Sequence, residues 1–111
     1  SQLSPVFDDD LACRGASRAR AMNRAIAQRA RHDDHVRYLA SPVTGQAIEA
    51  SRDERLFLLA WEQGARTTGE LCRQGLEGAA EPGAEGRARA AQFLETVVPR
   101  WRRLGIIEEV A

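Results

Sequence analysis

The chain has 111 residues, enough for one domain with a modest core, and its 16 basic and 16 acidic residues leave no formal net charge. Aromatics make up 5% of the residues, so Leu, Val, Ile and Ala must supply most of the core. No run of about 18 apolar residues is present, so the sequence offers no membrane-spanning helix. Every basic residue is Arg, which is read as compositional bias in preference to a selected guanidinium role.

Residues 1–10 contain Pro5, end in Asp8-Asp9-Asp10 and read as a loosely docked arm without the apolar core of a signal peptide. Cys13 and Cys72 lie far apart in unlike contexts. Buried or incidental thiols in a reducing, cytoplasmic setting are expected in preference to a disulfide. Residues 11–32 carry six Arg and no acid, a local charge of +6, against −3 for residues 1–10 and −3 for residues 33–111. Their Ala content predicts a helix started by Asp10. Its apolar stripe of Leu11, Ala19, Met22, Ile26 and Ala30 is thin, so the helix needs a partner surface. The cluster His32-Asp33-Asp34-His35 reads as a solvated turn more readily than a metal site, because neighbouring side chains point apart.

Val36, Tyr38 and Ala40 alternate with Arg37 and Leu39, predicting a strand. Ser41-Pro42-Val43-Thr44-Gly45 supplies turn chemistry, and residues 46–50 return as a second strand. Ser51 with Glu54 forms a capping box that opens a helix over 52–63, striped by Leu56, Leu59, Ala60 and Gln63 beside Phe57 and Trp61. Gly64 is its C-cap. Thr67 with Glu70 forms a second box, opening a short helix to about Gln74 with Leu71 and Cys72 inward. Residues 75–86, with four Gly and Pro82, read as a mobile loop. A final helix from about Arg87 to Leu104 carries Ala90, Leu94, Val97, Val98, Trp101 and Leu104, with a kink near 95–99 from Pro99. Gly105 ends it, and Ile106 to Val110 form a last strand or extended tail.

This order gives an α+β, winged-helix-like fold: a small antiparallel hairpin packed on three helices, with an extra basic helix before it. Residues 1–34 are read as arm and helix, and residues 35–111 as the domain proper. Acid–base catalysis needs a carboxylate pair or a carboxylate and His in one cleft, and no spacing here suggests one. Neither Cys has a plausible His partner, and no Gly-rich phosphate loop follows a strand. An enzyme is not expected, and no cofactor is called for. A winged-helix nucleic-acid-binding regulator is the second reading, but the helix at 68–74 offers Arg73 alone against Glu70 and the nearby Glu77. A structural interaction module without a peptide ligand is the third. Peptide capture fits better, since a free sheet edge at 46–50 beside the final helix could accept an added strand. The competing expectation is that the arm or residues 106–110 cover that edge.

Tyr38-Leu-Ala-Ser-Pro-Val-Thr-Gly-Gln46, the helix at 52–63, Gly64-Ala-Arg-Thr-Thr-Gly-Glu-Leu71 and the closing Arg103-Leu-Gly-Ile-Ile-Glu108 together resemble the PqqD-like family. The likeness covers about residues 35–110 and rests most on the Gly-x-Arg-Thr-x-x-Glu-Leu step and the Leu-Gly-Ile-Ile ending. It implies a recognition element that binds the leader of a ribosomally made precursor peptide by strand addition. A partner maturase, either a radical S-adenosylmethionine enzyme or a multinuclear non-haem iron enzyme, then modifies the peptide. By position the matching surface is Gln46, Ile48 and Ala50 on the strand with Arg89, Phe93, Val97 and Arg100 on the helix. The family usually begins with a strand, whereas this chain begins with a basic helix, and its loop at 75–86 is longer. That helix is expected to meet the partner enzyme through Arg18, Arg20 and Arg24.

Overall fold

The first helix, α1, starts at Pro5 and runs to Gln28, followed by a 3₁₀ turn over Arg29–Arg31. Proline is well placed in a first turn because its missing N–H would go unused there. Asp8, Asp9 and Asp10 therefore lie within the helix instead of leading up to it. The computed structural model describes residues 5–32, 37–76 and 83–107.

The strands β1 (Arg37–Ala40) and β2 (Ala47–Ala50) form a two-stranded antiparallel sheet in which Leu39 faces Ile48 and Ala40 faces Ala47. The turn is closed from Ser41, whose carbonyl accepts from Gly45 N–H at 2.8 Å and whose Oγ accepts from Thr44 N–H at 3.1 Å. Gly45 sits at φ +74°, a conformation other residues seldom adopt. Ser41 Oγ also donates to the Leu104 carbonyl at 3.0 Å, pinning the turn to the end of the last helix.

Helix α2 (Arg52–Glu62) opens at Ser51, whose Oγ accepts from Glu54 N–H at 3.2 Å, and gives way at Gly64, φ +105°. It is buried on more than the predicted stripe: Arg55, Leu56, Phe57, Leu58, Ala60 and Trp61 are all inside, whereas Gln63 is exposed. The reason is its central place, packed by α1 on one side and by the following helical turns on the other. Helix α3 (Thr68–Leu71) starts at the Thr67–Glu70 box and widens into a π turn over Cys72–Leu76. Gly75 thus belongs to a helical turn and presses on α2, where a β-carbon would lie 3.1 Å from the Leu56 carbonyl oxygen.

Helix α4 (Ala84–Gln92) begins three residues earlier than the sequence predicts and continues through a second π turn, Phe93–Val97, into α5 (Val98–Arg103). Pro99 has no N–H to give, and just before it the Val98 amide bonds the Phe93 carbonyl five residues back. Where a kink was expected, the backbone widens into this turn. Phe93 stands at the centre of an aromatic cluster, with ring centroids 5.3 Å from Phe57, 5.6 Å from Trp101 and 6.5 Å from Trp61. After Gly105 (φ +76°), Ile106 and Ile107 bend into the core, and Ile106 N–H bonds the Trp101 carbonyl at 2.9 Å. They form no strand; residues 108–110 lie outside the described residues. Among the described residues no helix is long and apolar enough to cross a membrane.

Candidate functional site

Among the described side chains of α1, Asn23 and Ala27 are buried and Ile26 is half-buried, Ala30 in the following 3₁₀ turn is buried too, and Met22 is 49% exposed. Asn23 is the residue that sequence reasoning missed. Its Nδ2 donates to the Ala40 carbonyl at 2.7 Å and its Oδ1 accepts from Ala40 N–H at 2.7 Å. A side-chain amide thereby takes the place of a neighbouring strand along the outer edge of β1. The available signal was its position four and seven residues before two small residues, on one face of an Ala-rich helix.

With β1 occupied at Ala40, the other margin of the sheet is the outer edge of β2. Ser41 N–H bonds the Gln46 carbonyl at 2.9 Å, which makes Ser41 and Gln46 a hydrogen-bonded pair. Alternation along an antiparallel ladder then assigns the backbone of Ile48 and Ala50 to β1, and the backbone of Ala47 and Glu49 to the outer edge. Among the described residues no third strand pairs with that edge. Ile106 and Ile107 line a depression with α2, and their N–H groups bond the Trp101 carbonyl, so those two donors are not spent on β2. The N-terminal arm before Pro5 and residues 108–110, the other expected covers, lie outside the described residues.

Parity also decides where the predicted strand residues go. Ile48 and Ala50 point into the core, 8% and 0% exposed, and Gln46 is exposed in the turn with its N–H donated to Thr44 Oγ1 at 3.2 Å. The groups left over for an incoming chain are the N–H and C=O of Ala47 and Glu49, whose side chains are exposed. Composition alone could not choose between the two sets; the hydrogen-bonded pair at the turn does.

β2 leads at Ser51 into a groove of about 310 Å³ between the start of α2 and the α4 rod. Phe57, Phe93 and Val97 line it, and Asp53 and Arg89 bridge it, Nη1 to Oδ2 at 3.1 Å. The other Arg89 terminal nitrogen meets Glu85 Oε1 at 3.0 Å. The Glu85 hydrogen bond, followed by the charges of Asp53 and Glu85, holds the Arg89 guanidinium further above its ordinary value. Three predicted helix residues, Arg89, Phe93 and Val97, thus come together in one groove. Phe93, 1% exposed, is a wall of it and a member of the core. Arg100 is exposed and is not among the residues lining it.

Of the predicted partner-contact residues on α1, Arg18 is exposed, and Arg20 and Arg24 line a second depression against α2. Arg24 Nε pairs with Glu62 Oε2 at 3.0 Å. Arg52 fastens the end of the α1 segment to α2, donating from Nε to the Ala30 carbonyl at 2.6 Å and from Nη2 to that of Arg31 at 3.2 Å. Among the described residues no set of three His, Cys, Asp or Glu is arranged to hold a metal ion; Asp33, Asp34 and His35 lie outside them. Cys72 is a free thiol, and burial raises its pKa above 9.0 against a smaller opposing effect of Arg87.

Comparison with known proteins adds no relative. A scan of protein-family models, a search of curated proteins and a search of solved structures each return no match to this chain.

Proposed function

We propose that this chain is a winged-helix-like, non-catalytic recognition subunit of the cytoplasm. In this reading it binds the leader of a ribosomally synthesised precursor peptide and presents the peptide to a modifying enzyme, a radical S-adenosylmethionine or multinuclear non-haem iron maturase. The leader adds as a strand along β2, exchanging hydrogen bonds with Ala47 and Glu49, each contributing about 1 kcal/mol net. One apolar leader side chain rests in the groove of Phe57, Phe93 and Val97, and Arg89 with Asp53 fixes its polar neighbours. The Arg-bearing face of α1, with Arg18, Arg20 and Arg24, meets the enzyme.

The observation that carries this reading is the outer edge of β2, with outward backbone groups at Ala47 and Glu49, running at Ser51 into an apolar groove. Sheet edges are usually blunted or covered unless they serve pairing.

The test is a titration of the full chain, at physiological salt, with two fluorescein-labelled probes. One is the leader of a short precursor encoded beside this chain's gene, and the other is a DNA duplex. Saturable leader binding with none to the duplex supports the reading. The reverse would reject it and assign the chain to the winged-helix regulators of nucleic acid.

A further inference from the structure

The second depression, about 290 Å³, lies where α1, α2 and the closing Ile106-Ile107 bend meet. Its floor is Leu58, Trp61, Ile106 and Ile107, each less than a tenth exposed. Among the described residues its rim carries the guanidiniums of Arg20, Arg24 and Arg66 and the carboxylate of Glu62. Neither β2 nor the first groove uses this arrangement, to which α1 supplies Arg20 and Arg24.

Two of these guanidiniums are held in place with donors to spare. Arg66 lies 3.8 Å over the Trp61 ring, and its Nη1 donates to the carbonyls of Trp61 at 2.8 Å and Ala65 at 2.9 Å. Its Nε and Nη2 have no partner among the described residues, and that is the edge with which Arg grips a carboxylate through two parallel bonds. Arg24 gives only Nε, to Glu62, leaving both terminal nitrogens without a described partner. Because the cations are already fixed, a bound anion costs little ordering entropy.

We propose that this depression is a docking site for an acidic segment of a partner protein, carrying carboxylates around one large apolar side chain. Charge complementarity names the occupant: Arg24 and Arg66 outnumber Glu62 on the described rim, over an apolar floor. Nucleic acid fits less well, since Glu62 would face its phosphates and Arg66 already covers the Trp61 face on which a base would stack. The site shares no residue with the groove beside β2, so it is tested apart from leader binding; it rests on the assignment of Arg20 and Arg24 to a partner contact and names the chemistry of that partner.

The protein carries its own reporter, because it has two Trp residues, Trp61 at the site and Trp101 in the core, 0% exposed. The ¹⁵N-labelled full chain is titrated with the acetylated, amidated peptide Glu-Glu-Leu-Phe-Glu-Glu while both indole N–H signals are followed. The Trp61 signal should move saturably and that of Trp101 should stay. The double variant Arg24→Gln, Arg66→Gln should weaken binding roughly tenfold, as expected for loss of charge-assisted bonds. Glu62→Gln should tighten it, a gain that misfolding cannot mimic. Three results would overturn the proposal: equal binding of the Gln-for-Glu peptide, tighter binding of oligothymidylate, or peptide binding only after Glu108→Gln, Glu109→Gln. The last would mean that the chain's own acidic end is the occupant.

Discussion

Asn23 holds Ala40 by both halves of its backbone, with each of the two hydrogen bonds 2.7 Å long. A side chain on α1 thus behaves as one residue of a third strand, 17 positions away in sequence. Asn23 is 2% exposed, so water cannot easily replace it. Asn23→Leu keeps the shape but strands an N–H and a C=O at Ala40. A loss of about 2–4 kcal/mol is expected in urea denaturation, and a loss below about 1 kcal/mol would show that the two groups find other partners.

The β2 edge makes a prediction that separates neighbours. Glu49→Pro removes an outward N–H and leaves the β1–β2 ladder intact, so fold and stability should be largely kept while leader binding falls roughly fivefold or more. Ile48→Pro removes an inward donor and should cost about 3 kcal/mol or more of stability. Circular dichroism and the peptide titration read both effects. Equal damage from the two variants would refute the assignment of Ala47 and Glu49 to the outer edge.

Gly75 is placed by contact, not by conformation. A methyl group there would meet the Leu56 carbonyl oxygen at 3.1 Å and Phe57 Cδ1 at 3.3 Å. Gly75→Ala should therefore destabilise the protein by about 1–3 kcal/mol, the usual range for overpacking, seen as a lower denaturation midpoint. A neutral outcome would mean that the π turn Cys72–Leu76 shifts freely against α2.

Phe93→Ala removes the ring on which Phe57, Trp61 and Trp101 converge and should cost about 3–5 kcal/mol. Any binding it loses would reflect the fold. Val97, half-buried, and Arg89, exposed, are the groove positions whose substitution should weaken peptide binding with the denaturation midpoint nearly unchanged.

The Cys72 thiol titrates above 9.0 in the folded chain because burial disfavours its anion. As pH rises past the ordinary value, the unfolded chain releases this proton first. Stability from Cys72 is therefore complete below pH 9.0 and declines above it. Comparison of the wild type with Cys72→Ala in urea at pH 7 and pH 10 should show a steeper alkaline decline in the wild type. Parallel declines would contradict the burial argument.

Much of the fold was legible because its causes are local. The boxes at Ser51–Glu54 and Thr67–Glu70, the ends at Gly64 and Gly105, and the turn at Ser41–Gly45 each arise within a few residues. What escaped depends on partners far along the chain. Asn23 has meaning only beside Ala40, and Gly75 only beside Leu56. The choice of Ile48 and Ala50 over Ala47 and Glu49 turned on which pair closes the hairpin, and the alternating pattern of side chains does not contain that. The groove was half legible, since Arg89, Phe93 and Val97 follow helical spacing, whereas Asp53 and Ser51 enter from another helix and from the strand.

Phe93 and Trp101 are eight residues apart, and an unbroken α-helix, at about 100° per residue, would set them about 80° out of phase. The wider turn at Phe93–Val97 absorbs one residue, so the rings meet edge to face at 5.6 Å. Pro99 acts here as a timing device: by withholding one amide it sets which side of the last two turns looks inward. An alanine in its place would free those turns to rewind, carrying Trp101 toward water and swinging one of the outward-facing arginines toward the aromatic core.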